Sequence, residues 1–91
     1  MRRVTHVFGI AIMDSGNYAL KLCTILERKG YVFEVVPTPC HIAKTGCGYC
    51  LKFPLEFKDL VLQEALLNKI VVREIYRIEP QLTKNNYVKI Y

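Results

Sequence analysis

Pro37-Thr38-Pro39-Cys40-His41-Ile42-Ala43-Lys44-Thr45-Gly46-Cys47-Gly48-Tyr49-Cys50-Leu51-Lys52-Phe53 is the stretch that decides how the rest of the chain folds. Two prolines two residues apart stop a strand and stiffen the backbone after it. Gly46 and Gly48 flank Cys47 with backbone free to take positive φ and no side chain to cover the sulfur. Tyr49 to Phe53 then alternates as a new strand, with Tyr49, Leu51 and Phe53 expected inward and Cys50 and Lys52 outward. The stretch is thus a hairpin whose loop lifts a thiol on a tight glycine turn. It holds three of the four cysteines of the chain, which marks the loop as the place to look for chemistry.

Upstream of the hairpin, residues 3–12 read as a central strand. Val4, Phe8, Ile10 and Ile12 lie on one face and Thr5, Val7, Gly9 and Ala11 on the other, both largely buried. His6, on the parity of Phe8, reads as a strand-end residue. Asp14 and Ser15 supply a helix N-cap ahead of Ala19, Leu22, Cys23 and Leu26, which follow helical spacing. Lys29-Gly30 closes that helix with a cation and a C′ glycine, and Cys23 falls in its apolar stripe as a small core residue. Tyr31 to Val36 is the second strand, with Phe33 and Val35 on one face and Val32, Glu34 and Val36 on the less buried one.

Downstream, Pro54 is expected to open a second helix near its first turn. Phe57, Leu60, Val61, Ala65 and Leu67 form its apolar side, and Leu55, Leu62 and Leu66 spill beyond it. Val71 to Ile78 is a fourth strand whose apolar residues fall on both parities, so its inward face is undetermined. Asn85-Asn86 signals a turn, and Tyr87 to Tyr91 alternates as a short extra strand. The order strand, helix, strand, strand, helix, strand predicts an α+β fold. It is the ferredoxin-like βαββαβ sandwich, one antiparallel four-stranded sheet with two helices on one face. Residues 1–80 form that domain, and residues 81–91 are a C-terminal extension that supplies an edge strand and with it a route to a homodimer.

Composition bounds what this domain does. At 91 residues and 52% hydrophobic, the chain has enough apolar side chain for one core and is not a disordered segment. No run of apolar residues is long enough to span a membrane, and no cleavage site follows the basic Met1-Arg2-Arg3, so no signal peptide is read. Cysteines bunched in one loop of a chain with a good core suit thiol or metal chemistry better than secreted disulfides, which places the protein in the cytoplasm. The net charge of +5 tolerates anionic partners, but the basic residues are scattered rather than clustered. Paired carboxylates, phosphate loops and a Ser/His arrangement are all missing, so a carrier or accessory role fits better than an enzyme with its own pocket.

Four chemistries compete for the loop. In the first, Cys47 is a reactive thiolate whose pKa Lys44 and His41 lower, with Gly46 and Gly48 exposing it and Cys40 and Cys50 as resolving or relay thiols. In the second, Cys47 and Cys50 form a redox pair. An extended backbone would point their sulfurs to opposite faces, so a turn at Gly48 is required. The third is a zinc site built from Cys40, His41, Cys47 and Cys50, weakened by the adjacency of Cys40 and His41. The fourth is a nucleic-acid-binding module: Gly46-Cys47-Gly48-Tyr49 and Val7-Phe8 echo RNA-recognition motifs, yet Cys47 and Lys52 stand where stacking aromatics belong. Beside all four stands a small interaction domain whose cysteines are incidental.

Pro37-Thr38-Pro39 closing a strand, a small-residue segment, Cys47-Gly48 leading into a short apolar strand, and Glu74-Ile75-Tyr76-Arg77-Ile78 in the last strand together resemble the selenium/sulfur carrier family. Its members are small bacterial proteins of ferredoxin-like fold. The resemblance covers roughly residues 4–79, and Cys47 alone matches the family's cysteine. It implies a role in sulfur or selenium metabolism. Cys47 would carry the chalcogen covalently as a persulfide or selenosulfide between donor and acceptor proteins, with no resident cofactor. Cys40, where the family often has a basic residue, Cys50 and the C-terminal tail depart from that pattern.

Overall fold

The structure, a computed structural model, describes residues 7–39, 42 and 48–91. The elements run β1 (Phe8–Met13), α1 (Gly16–Arg28), β2 (Glu34–Pro37), β3 (Tyr49–Pro54), a 3-10 turn (Leu55–Phe57), α2 (Lys58–Leu67), β4 (Val72–Pro80) and β5 (Asn85–Lys89). The fold is α+β, with two helices and one five-stranded sheet in the order β2-β3-β1-β4-β5. Every neighbouring pair in that sheet is antiparallel.

β1 is central and flanked by β3 and β4. Gly9, Ile10 and Ala11 are buried, as its apolar content on both parities predicts. Its register with β4 slips between Ile12 and Met13, leaving Arg73 as the extra residue of a bulge. That bulge accompanies a bidentate contact of Arg73 with Asp14, Nε to Oδ1 at 2.7 Å and Nη2 to Oδ2 at 3.1 Å. Asp14 is therefore not the cap of α1. Ser15 occupies the N-cap with extended backbone, and its side chain makes no capping hydrogen bond.

α1 buries Ala19, Leu22, Cys23 and Leu26, the four residues its periodicity selects. It ends at Lys29, and the backbone leaves through Gly30 at φ +95°, a left-handed conformation in which glycine avoids the Cβ clash. The second half of the chain departs further from expectation. Pro54 is the last residue of β3 rather than the start of a helix. Leu55 N–H donates to the Val7 carbonyl at 2.8 Å, which pins the 3-10 turn to the entry of β1 before α2 begins. In α2 the buried residues are Val61, Glu64 and Ala65, and Leu67, expected inward, is 66% exposed. Glu64 tolerates burial because Lys29 Nζ, at the end of α1, donates to its Oε2 at 2.9 Å. The turn before β5 is Gln81 to Lys84, closed by Gln81 N–H to Lys84 O at 3.0 Å. Asn85 and Asn86 belong to the strand, a correction to their reading as the turn.

The sheet has two apolar faces. One carries Ala11, Leu51, Phe53 and Ile75 and packs against the stripes of both helices in the main core. Tyr31, Phe33, Phe53 and Phe57 add a chain of tilted and edge-on ring contacts at that core's end. The other face carries a second cluster of Ile10, Cys50 and Tyr76, against which Ile12, Val36, Ile42, Ile78 and Tyr87 pack. No helix among the described residues is long and apolar enough to cross a membrane.

Candidate functional site

Strand pairing carries β2 and β3 up to the thiol loop and closes its neck. Pro37 pairs with Tyr49, and one step further out the Thr38 N–H donates to the Gly48 carbonyl at 2.7 Å. Proline cannot donate at 37 or 39, so among the described residues this backbone bond tethers the start of the loop to its end. Ile42 N–H donates to the Pro39 carbonyl at 3.1 Å. Cys40, His41, Lys44, Gly46 and Cys47 lie outside the described residues, as does His6. The pairing of thiols in the loop and the four-ligand zinc set therefore fall outside the described residues too.

Gly48 and Cys50 are described. Gly48 is exposed, and a Cβ built on it would meet nothing within 4 Å among the described residues. It does not adopt positive φ, which among the described glycines only Gly30 does. Its contribution is open space beside the chain, not a left-handed turn.

Cys50 points to the face opposite Leu51 and Phe53, as alternation requires, but it is not exposed there. Its relative accessibility is 0%, because Val36 stands across from it in β2 and Ile10, Tyr76 and Ile42 complete the second cluster. Burial pushes the Cys50 thiol above its ordinary range, and a hydrogen bond with the buried Thr38 side chain pulls weakly the other way. Cys50 is thus a protonated thiol in an apolar setting, the opposite of an activated nucleophile. Cys23 is also buried, its Sγ donating to the Phe33 carbonyl at 3.4 Å, and burial raises its pKa as well. Tyr49, expected inward, is 56% exposed. It sits at the strand end beyond the reach of α1's apolar stripe, with its Cβ beside Gly16, where an added Cβ would come within 3.1 Å of it.

That contact leaves an open groove of about 440 Å³ lined by Ser15, Gly16, Asn17, Leu20, Val35 and Tyr49. Its walls are the N-terminal turn of α1 and the first residue of β3, so it adjoins the exit of the loop. The exposed Leu20 and Tyr49 make its rim apolar. Sequence patterning signalled the groove only indirectly, through a glycine at the first position of α1 where a better helix former would ordinarily stand. Among the described residues, no three His, Cys, Asp or Glu side chains are placed to hold a metal ion.

Among curated proteins and among solved structures nothing matches the chain. The family model described as "Putative Se/S carrier protein-like" matches residues 8–77, from the first residue of β1 through the hairpin and its thiol loop into β4, and the chain belongs to that family.

Proposed function

We propose that the protein carries sulfur or selenium on Cys47 and passes it between donor and acceptor proteins in the cytoplasm. The observation that supports this most is the family match across the whole hairpin. The exposed and uncrowded Gly48 at the end of the loop agrees with it. In this reading the first four strands and two helices are a ferredoxin-like βαββαβ sandwich to which β5 is appended, and the sandwich acts as a rigid holder for the loop.

The chemistry is thiol–persulfide exchange. The Cys47 thiolate attacks the outer sulfur of a donor persulfide, a new S–S bond forms, the donor's S–S bond breaks, and the donor leaves as a thiolate. The persulfide now on Cys47 gives up its outer sulfur when an acceptor thiolate attacks it, and Cys47 is regenerated. A selenosulfide moves by the same displacement, with selenium as the outer atom. Lys44 and His41 favour the thiolate by their charge, and Gly46 and Gly48 leave an approach path. Cys40 and Cys50 are the candidate resolving or relay thiols, a relay taking the outer sulfur from Cys47 by the same displacement. Cys50, buried and protonated in the described state, enters exchange only when the apolar cluster around it opens.

The test is intact mass after incubation with a persulfidated donor protein. Wild type gains the mass of one sulfur atom, removable by dithiothreitol, and Cys23→Ser gains it equally. Cys47→Ser gains none. An adduct that persists on Cys47→Ser, or no adduct on wild type, overturns the proposal.

A further inference from the structure

The open face of the sheet carries a second concavity, separate from the groove beside α1. It has a volume of about 200 Å³, with Ile10, Val36 and Ile78 as its floor, Pro39 on one side, and Lys52 and Asn85 bringing its polar groups. A concavity of that size, smaller than most ligand clefts, suits a compact organic molecule rather than a partner's helix or strand.

Charge decides the class of that molecule. Lys52 is the one charged side chain among the described lining residues. Glu34 is its cross-strand neighbour in β2, yet no ion pair joins the two. Among the described residues Lys52 instead holds its ammonium 4.9 Å from the centre of the Phe8 ring. On this face Glu74 is held by Lys89 at 3.0 Å, and Glu34 is not among the described lining residues. A half-buried ammonium over an apolar floor, lacking an anion of its own, is complementary to a carboxylate whose apolar body covers Ile10 and Ile78. Asn85, on the β5 side of the lining, adds a side-chain amide that can donate a hydrogen bond.

The geometry points to a binding site for a small monocarboxylate with a compact apolar body on this face, beside the neck of the thiol loop. The site is built from β1, β2, β3, β4 and β5 together. It reads neither Cys47 nor a transferred chalcogen, so it stands or falls apart from the carrier proposal.

Benzoate is a probe of the right size and charge, and benzamide is its neutral isostere. In a ¹H–¹⁵N NMR titration of the full chain, benzoate is expected to give saturable shifts of the Ile10, Val36, Lys52 and Ile78 amides. Benzamide is expected to bind at least about tenfold more weakly, as is benzoate to Lys52→Met, since each loses a charge-assisted contact. Lys52→Arg and Cys47→Ser should retain benzoate binding. Equal affinities for benzoate and benzamide overturn the site, as do shifts without saturation or shifts confined to other faces. If Lys52→Met does not fold, the benzoate and benzamide comparison on wild type decides alone.

Discussion

At the scale of single residues, the second apolar cluster sets the behaviour of two ionisable groups. Burial raises the Cys50 thiol above its ordinary 9.0 and the Tyr76 phenol above its ordinary 10.0, and the phenol is held further by donating to Glu74 Oε1 at 3.1 Å. In both, the native state keeps a proton that the unfolded chain gives up first. Their contribution to stability is therefore complete below the ordinary values and is lost as pH rises through the raised native ones. Lys89, raised by Glu74, acts in the same direction. The urea midpoint should accordingly fall between about pH 8 and about pH 11, and Tyr76→Phe should flatten that fall by removing one of the titrating groups. A midpoint as steep in Tyr76→Phe as in wild type would show that the phenol is not held back by its surroundings.

At the scale of elements, glycines with similar sequence neighbourhoods do different work. Gly30 ends α1 at φ +95°, so Gly30→Ala should destabilise by about 1 kcal/mol through backbone strain. Gly48 has ordinary φ and open space around its Cβ direction, so Gly48→Ala should stay within about 0.5 kcal/mol of wild type. Thermal or urea unfolding of the two variants separates the cases, and equal losses would contradict the assigned turn geometry. The buried stripe of α1 was legible because one periodic face meets one core, whereas its cap was not, since Asp14 is drawn to Arg73, 59 residues away. Nor was the buried face of α2. Its apolar residues surround the helix, so periodicity does not select a face, and the burial of Glu64 depends on Lys29, 35 residues away in the chain.

At the scale of the whole molecule, β5 joins the sheet that the first four strands build. It pairs with β4 from Tyr76–Lys89 to Pro80–Asn85, Ile90 N–H donates to the Ile75 carbonyl at 2.9 Å, and Ile90 packs on the helix-side core while Tyr87 packs on the opposite cluster. A chain ending at Pro80 would uncover both clusters and leave β4 as an unprotected edge. Removing residues 81–91 is therefore expected to lower Tm by at least about 4 °C, the shift that corresponds to a loss of about 1 kcal/mol in a domain of this size. An unchanged Tm would mean that residues 1–80 are a self-sufficient domain and that the last strand is an appendage.

Local chemistry written in the sequence determined the α+β class, the helical stripe of α1, its glycine exit, the hairpin around the thiol loop and the family to which these belong. Each depends on residues a few positions apart, where spacing and backbone preference act directly. Only the tertiary structure decided that Cys50 is sealed under Val36, Ile42 and Tyr76, that Tyr49 opens a groove against Gly16, and that Lys52 lines a concavity on the open face of the sheet. Those outcomes depend on which strands become neighbours across the sheet. A side chain's exposure is set by the partners that long-range pairing brings to it, and alternation along one strand names its face but not what covers that face.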